Sequence, residues 1–192
     1  AIDKAGQVLK RCRAEWEKEN VIPTERILLG DKTGEPMARG IITWADMFAP
    51  RQLLGMGVLV EELRNLRPEI EAKEGTERGA AIEHLLAFAI DKLLNYNALL
   101  ASWHAPRQVM RSVFDRHDFA FKSTFAEMAP CGAGLGLAWA IDSVLDSWLK
   151  LSELPRAEGA APAVISLGSA TQLPQVPTAS ISAVVVDPPY DD

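Results

Sequence analysis

Asp187, Pro188, Pro189 and Tyr190 stand directly after the run Ile181-Ser182-Ala183-Val184-Val185-Val186. A run so short and so rich in valine reads as a buried central strand. Past its carboxyl end come an acid, two prolines that cannot extend a hydrogen-bond ladder, and an aromatic, with Asp191 and Asp192 behind them. The chain there presents a carboxylate, bare carbonyls and a ring side by side. In open α/β sheets, ligands bind beyond that edge of the strands. The same letters also read, with no ligand, as a strand closed by a Pro-Pro stop and an acidic tail.

The tetrad after a hydrophobic strand resembles motif IV of the amino-methyltransferases, which use S-adenosylmethionine to methylate the exocyclic nitrogen of adenine or cytosine in DNA. An adenine N6 lone pair is delocalised into the ring, and acceptors aimed at the amino group favour the tetrahedral nitrogen that can attack. The resemblance implies that the Asp187 carboxylate and the Pro188 carbonyl accept from that group, that Pro188 and Pro189 stiffen the acceptors, and that Tyr190 stacks on a base flipped from the duplex. Upstream, Ala163 to Leu167 reads as a second short strand, followed by Gly168, Ser169, Ala170 and a loop through Gln175 and Pro177. Many enzymes of this kind place an acid near that turn, against the cofactor's adenosine. Here Ser169 takes that place, so Gly168 and Ser169 are the expected cofactor contacts with one departure from the pattern.

A longer resemblance runs through the middle of the chain. Trp44, Phe48, Pro50, Arg51, Gln52 and Leu53 resemble the Trp-x-x-x-Phe-x-Pro-Arg-Gln-Leu signature of large bacterial adenine-specific DNA methylases carrying the domain of unknown function DUF1156, which occur among anti-phage systems. Asn95, Tyr96, Asn97 and Trp103 fall in the order of that family's Asp-x-Asn-Ser-x-x-x-x-Trp region, with Asn95 and Ala98 in place of its Asp and Ser. Phe114, Phe119, Phe125, Glu127 and Pro130 resemble its later Phe and Glu-x-x-Pro positions, so that the match spans about residues 40–190. Such proteins carry a cofactor-binding glycine motif and a zinc ribbon outside this region and continue after motif IV. The chain begins at Ala1 rather than Met and stops two residues beyond Tyr190. The expectation is therefore a fragment, whose cofactor site is completed by the remainder of a parent polypeptide and which has little activity alone.

Composition bounds the other readings. With 192 residues, 48% of them hydrophobic, the chain can build a core, and a mean hydropathy of +0.01 fits a soluble protein. The most apolar stretch, Leu85 to Ile90, is far too short for a membrane span, and the N-terminus lacks the pattern of a signal peptide. Cys12 and Cys131 have neither zinc-ligand spacing nor the density of a disulfide scaffold, so a reduced cytoplasm is expected and no metal is implied. A net charge of −6 argues against broad phosphate binding. The candidate DNA contacts are Arg107 and Arg111, four apart on an expected helix face, with Arg116, Lys122 and Arg51 beyond; solvated surface is the ordinary reading of each. Asp115-Arg116-His117-Asp118 reads as a charged turn, and the isolated histidines suggest no hydrolytic site.

The elements that must position these residues are mostly helical. Spacing predicts helices over Ile2–Glu19, from Pro50 with an end or interruption at Pro68, over Thr76–Ser102, over Pro106–Phe114 and over Leu137–Leu151, with the second and third packed as a hairpin. Residues 21–36 read as short extended segments joined by turns. Trp139, Leu145 and Trp148 suit a buried helix face. The glycines at 132, 134 and 136 read as a loop with packing duties, because no apolar strand precedes them and they sit out of register with the Asp-Pro-Phe-x-Gly-x-Gly cofactor loop. The expected fold class is α/β: a terminal helix and arm over residues 1–40, a helical region over 41–155, and strands of an incomplete Rossmann-like methyltransferase sheet over 156–192. The leading expectation is part of an adenine-N6 DNA methyltransferase. A non-catalytic helical interaction domain, or an RNA- or protein-directed amino-methyltransferase, stands beside it.

Overall fold

The computed structural model describes residues 2–115, 126–132, 134–154, 159, 161–169 and 171–186, with backbone only at 2 and 3. The chain divides into two compact units, Ala1–Ser152 and Glu153–Asp192.

In the first unit, α1 (Ile2–Lys18) buries Leu9 and Trp16, which lie on one helical stripe about two turns apart. The Trp16 indole donates to Glu61 Oε1 at 2.9 Å, and its ring lies so close to Gly57 that a Cβ there would sit 2.3 Å from it. Just past the end of α1, the Arg64 guanidinium donates to the carbonyls of Glu19 and Asn20 at 2.7 and 2.8 Å, satisfying groups that a helix end leaves open. The expected extended arm is reduced to one antiparallel bridge between Arg26 and Thr43, and a short helix α2 (Gly34–Ala38) stands where turns are expected.

Helix α3 (Pro50–Glu74) starts at Pro50, where a missing N–H costs nothing. The Gln52 side chain accepts from the Ala49 N–H at 2.8 Å and closes the start. Pro68 does not interrupt this helix. It falls in an exposed stretch where water can take the carbonyl left without a donor; the pair Arg67–Glu71 (3.0 Å) spans it and Glu69–Lys73 (2.7 Å) follows in the next turn. Gly75, at φ +80°, turns the chain into α4 (Thr76–Leu94), which packs back on α3 as a helical hairpin. Gly79 brings the two together: a Cβ there would lie 3.1 Å from the Glu71 backbone.

The helix predicted to Ser102 ends at Leu94. Asn97 supplies the reason, because its amide Nδ2 donates to the Leu93 carbonyl at 3.2 Å while its Oδ1 accepts from the Met128 N–H at 2.8 Å. The predicted helix over Pro106–Phe114 is instead a hairpin: β1 (Ser102–His104) pairs antiparallel with β2 (Val109–Arg111), Trp103 opposite Met110, through a 3₁₀ turn closed by Gln108 at φ +53°. A second small hairpin, β3 (Cys131–Gly132) with β4 (Leu135–Gly136), leads into α5 (Leu137–Ser152). The glycine cluster thus makes a tight turn. At Gly136, φ is +61° and a Cβ would meet the Ala129 and Pro130 carbonyls at 2.3 Å.

Two apolar clusters form the core of this unit. One joins Leu9, Trp16, Val21, Ile22, Ala45 and Leu53; the other joins Ile27, Ile41, Met47, Leu100 and Val113 with small neighbours, and Phe48 packs on both. Residues before 40 therefore share cores with residues after it. Helix α5 turns Ala140 inward, while Trp139 meets the edge of Tyr96 at 5.3 Å and lies under Lys92 Nζ at 4.6 Å. Trp148 and Leu145, predicted to be buried, are about half exposed.

The second unit departs most from expectation. No Rossmann-like sheet is formed among the described residues, and all strand pairing is antiparallel. Residues 163–167 and 181–186 are not strands; Ile165 and Val185 are 94% and 95% exposed. A central strand needs ladder partners and apolar cover on both faces, and the described residues of this unit provide a single bridge, Ser169 with Gln172.

Candidate functional site

The site begins with two short-range ties. Asp91 and Asn95 lie four apart near the end of α4, which sets them on one side of the helix. The Asn95 carbonyl accepts from the Val113 N–H at 2.9 Å and its side-chain Oδ1 accepts from the Phe114 N–H at 3.2 Å. These bonds hold in place a phenylalanine that remains 71% exposed. On the opposite side, the 3₁₀ turn Trp44–Met47 is fixed by Asp46, whose Oδ2 accepts from the N–H groups of Ile42 (3.1 Å) and Thr43 (2.8 Å) and from the Thr43 hydroxyl (2.9 Å). Burial pushes the Asp46 carboxyl up, but these hydrogen bonds outweigh it and hold the group below its ordinary range.

Between these supports lies a cavity of about 330 Å³ lined by Pro23, Trp44, Phe48, Asp91, Asn95 and Phe114, among others. Its walls are mainly aromatic and aliphatic, with a carboxylate and an amide as polar features, which is the usual anatomy of a small-molecule site.

A second, smaller cavity of about 120 Å³ adjoins Arg51, Gln52, Asn97, Glu127, Met128 and Pro130. Arg51 Nε donates to Glu127 Oε1 at 2.5 Å, both side chains about a third exposed, and that hydrogen bond raises the guanidinium pKa further. Together with the Asn97 bond to Met128, this pair clasps the segment 126–130 onto α3 and the end of α4. Gln52 Nε2 is buried with no hydrogen-bond partner among the described residues, at a cost of roughly 1–3 kcal/mol.

Residues quoted for the longer resemblance, scattered from 44 to 130, thus gather around two neighbouring elements of one unit: Trp44, Phe48, Asn95 and Phe114 at the larger cavity, Arg51, Gln52, Asn97, Glu127 and Pro130 at the smaller. Asp91 escaped the sequence reading. Its spacing of one helical turn from Asn95 is the signal that would have found it.

Asp187, Pro188, Pro189 and Tyr190 lie outside the described residues, as do Arg116, His117, Phe119, Lys122 and Phe125. Gly168 and Ser169 are exposed; nothing lies within 4 Å of a Cβ at Gly168, and the Ser169 hydroxyl is 2.8 Å from that of Thr171. Arg107 and Arg111 do not share a helix face: Arg107 sits in the turn of the β1–β2 hairpin and Arg111 on β2, 3.3 Å from Asp115. Cys12 has its thiol pKa raised, burial being the largest cause, which leaves it a weak nucleophile. Among the described residues no three His, Cys, Asp or Glu side chains gather as metal ligands, and no helix is long and apolar enough to cross a membrane. No protein-family model, curated protein or solved structure matches the chain.

Proposed function

We propose that this chain is part of a S-adenosylmethionine-dependent DNA methyltransferase that acts on the exocyclic amino group of adenine. The observation that carries the reading is the order of residues 181–190: a valine-rich run followed by Asp-Pro-Pro-Tyr. In this reading the Asp187 carboxylate and the Pro188 carbonyl accept from the amino nitrogen, and Tyr190 stacks on the flipped base. The exposure of Val184, Val185 and Val186 supports it, since three consecutive valines without cover suit a strand whose sheet is completed by further polypeptide. In this reading Gly168 and Ser169 belong to a cofactor site completed by the remainder of the parent polypeptide, and no step is assigned to them. The first unit positions rather than reacts, with its signature residues acting as the clasps described above.

The test is methyl transfer from labelled S-adenosylmethionine to unmethylated DNA by the parent polypeptide, beside folded Asp187→Ala and Tyr190→Ala variants. Loss of label in both variants is expected, and undiminished transfer in both overturns the assignment. A second reading, a non-catalytic helical interaction domain, draws on the apolar groove of about 450 Å³ between α4 and α5, where Phe88 and Trp148 are about half exposed. It predicts that transfer survives both substitutions. If the intact parent transfers label to RNA or to a protein and not to DNA, the substrate class changes while the residues stand.

A further inference from the structure

We propose that the groove between α4 and α5 is where two copies of this chain associate, each copy laying its own α5 against the α4–α5 pair of the other to complete a four-helix bundle. The inference names the occupant of the groove on which the interaction-domain reading draws. It stands on the first unit alone and holds whichever role Asp187 and Tyr190 have.

The shape of the groove asks for a helix. Leu85, Phe88 and Lys92 line one wall from α4 at spacings of three and four, and Val144, Trp148 and Leu151 line the other from α5 at spacings of four and three. That alternation is the seam of helices packed side by side, and a further helix seats its own side chains between two such seams. Ser143 and Ser147 also line the groove. Their hydroxyls donate to the Trp139 and Ser143 carbonyls at 2.9 and 2.8 Å, so their polar demand is met within α5 and their small side chains leave room for close approach.

Area and charge select a second copy as the source of that helix. Phe88, Leu145, Trp148, Leu149 and Leu151 are each between 48% and 63% exposed, which leaves an apolar patch of about 500 Å². A specific interface takes about 800 Å² from each partner, about 65% of it apolar in homodimers. The patch matches that apolar share. Leu145 and Leu149 lie outside the groove and continue the patch over the outer side of α5, so the groove and a helix face able to fill it stand side by side on one chain. Such a surface is self-complementary, as a two-fold interface requires. Lys92 Nζ lies 4.6 Å from the centre of the Trp139 ring, and among the described residues no carboxylate forms an ion pair with it. Covering the groove therefore calls for an acid from the occupant. Asp142 stands near the start of α5 and Glu153 directly after its end, neither ion-paired among the described residues. Whichever way the second α5 runs, it brings one of them toward Lys92.

The experiment is sedimentation equilibrium of the 192-residue chain, which is expected to show a monomer–dimer equilibrium in the micromolar range. A substitution enters both halves of a two-fold interface, so Phe88→Ala and Trp148→Ala should each raise the dissociation constant roughly tenfold or more. Lys92→Glu sets like charges together and should raise it roughly fivefold or more at low salt. Leu28→Ala removes an apolar side chain that is 85% exposed outside the groove and should leave it unchanged. Circular dichroism checks that each variant keeps its helices. Hydrogen exchange of the unsubstituted chain is the second measurement, in which the amides of α5 should slow between dilute and concentrated samples. A chain that stays monomeric at every concentration overturns the proposal, giving the groove to another occupant and leaving the methyltransferase reading untouched. So does a dimer that survives Phe88→Ala and Trp148→Ala, one that Lys92→Glu does not weaken, one that Leu28→Ala abolishes, or slowing confined to elements other than α5.

Discussion

Residues 98–101 and 181–186 are both short apolar stretches, and they end in opposite surroundings. Leu100 is 1% exposed and Ala101 is fully buried, enclosed by Ile27, Ile41, Met47 and Val113 from three other parts of the chain. Val184, Val185 and Val186 are mostly exposed. By composition the valine run is the better strand, and by side-chain area it has more to bury. The difference lies in what each meets. The Leu93 carbonyl and the Met128 N–H, both bonded to Asn97, bring a packed surface to the first stretch, and no described residue brings a ladder to the second. Apolar character states a demand for cover, and only other elements can answer it.

The largest expected effect sharpens this contrast. Leu100→Ala should cost about 2–5 kcal/mol, as large-to-small changes in cores do, while Val185→Ala should stay within about 0.5 kcal/mol. Chemical denaturation of the two variants measures both, and a large effect at Val185 would show that the run is covered in solution.

Glycines provide the next comparison. Gly57→Ala drives a methyl to within 2.3 Å of the Trp16 ring and should cost about 1–3 kcal/mol, the usual cost of overpacking. Gly168→Ala meets open space and should be neutral or slightly stabilising. Equal effects in thermal unfolding would break the distinction between a packed unit and an open one.

The smallest effect concerns pH. Because the hydrogen bonds to Asp46 hold its carboxyl below the ordinary range, its contribution is fully present above the unfolded value of about 3.9 and is lost as pH falls through the lower folded value. Asp46→Ala should remove roughly 0.5–2 kcal/mol near neutral pH, the range for losing a capping side chain, and should flatten the decline in stability below about pH 4. Denaturation midpoints of the two proteins between neutral and acid pH decide it; an unchanged acid limb would assign the decline to other carboxylates.

Much of the helical framework was legible. Pro50 marks the start of α3, the spacing around Ile82 to Leu94 marks α4, and Trp139 to Trp148 marks α5, because periodicity and end signals are local properties of the chain. What misled was equally local. Pro68 looked like a stop and is tolerated on an exposed stretch; residues 106–114 looked helical, and they form the turn and second strand of a hairpin, with Gln108 in the left-handed region, and the start of a 3₁₀ turn. At the candidate site, the signature residues could be named but not grouped, and the one signal for Asp91 was its spacing of a helical turn from Asn95.

The sequence by itself determined which residues carry apolar faces, where most helices begin, and the order of the acid, prolines and tyrosine after the valine run, since all of these are read along the chain. The tertiary structure alone decided that Asn97 ends α4 early, that Trp148 stays half exposed, and that Trp44, Asp91 and Phe114 share a cavity. Those outcomes depend on which surfaces meet across distant stretches of chain, and a linear pattern specifies a face without specifying its partner.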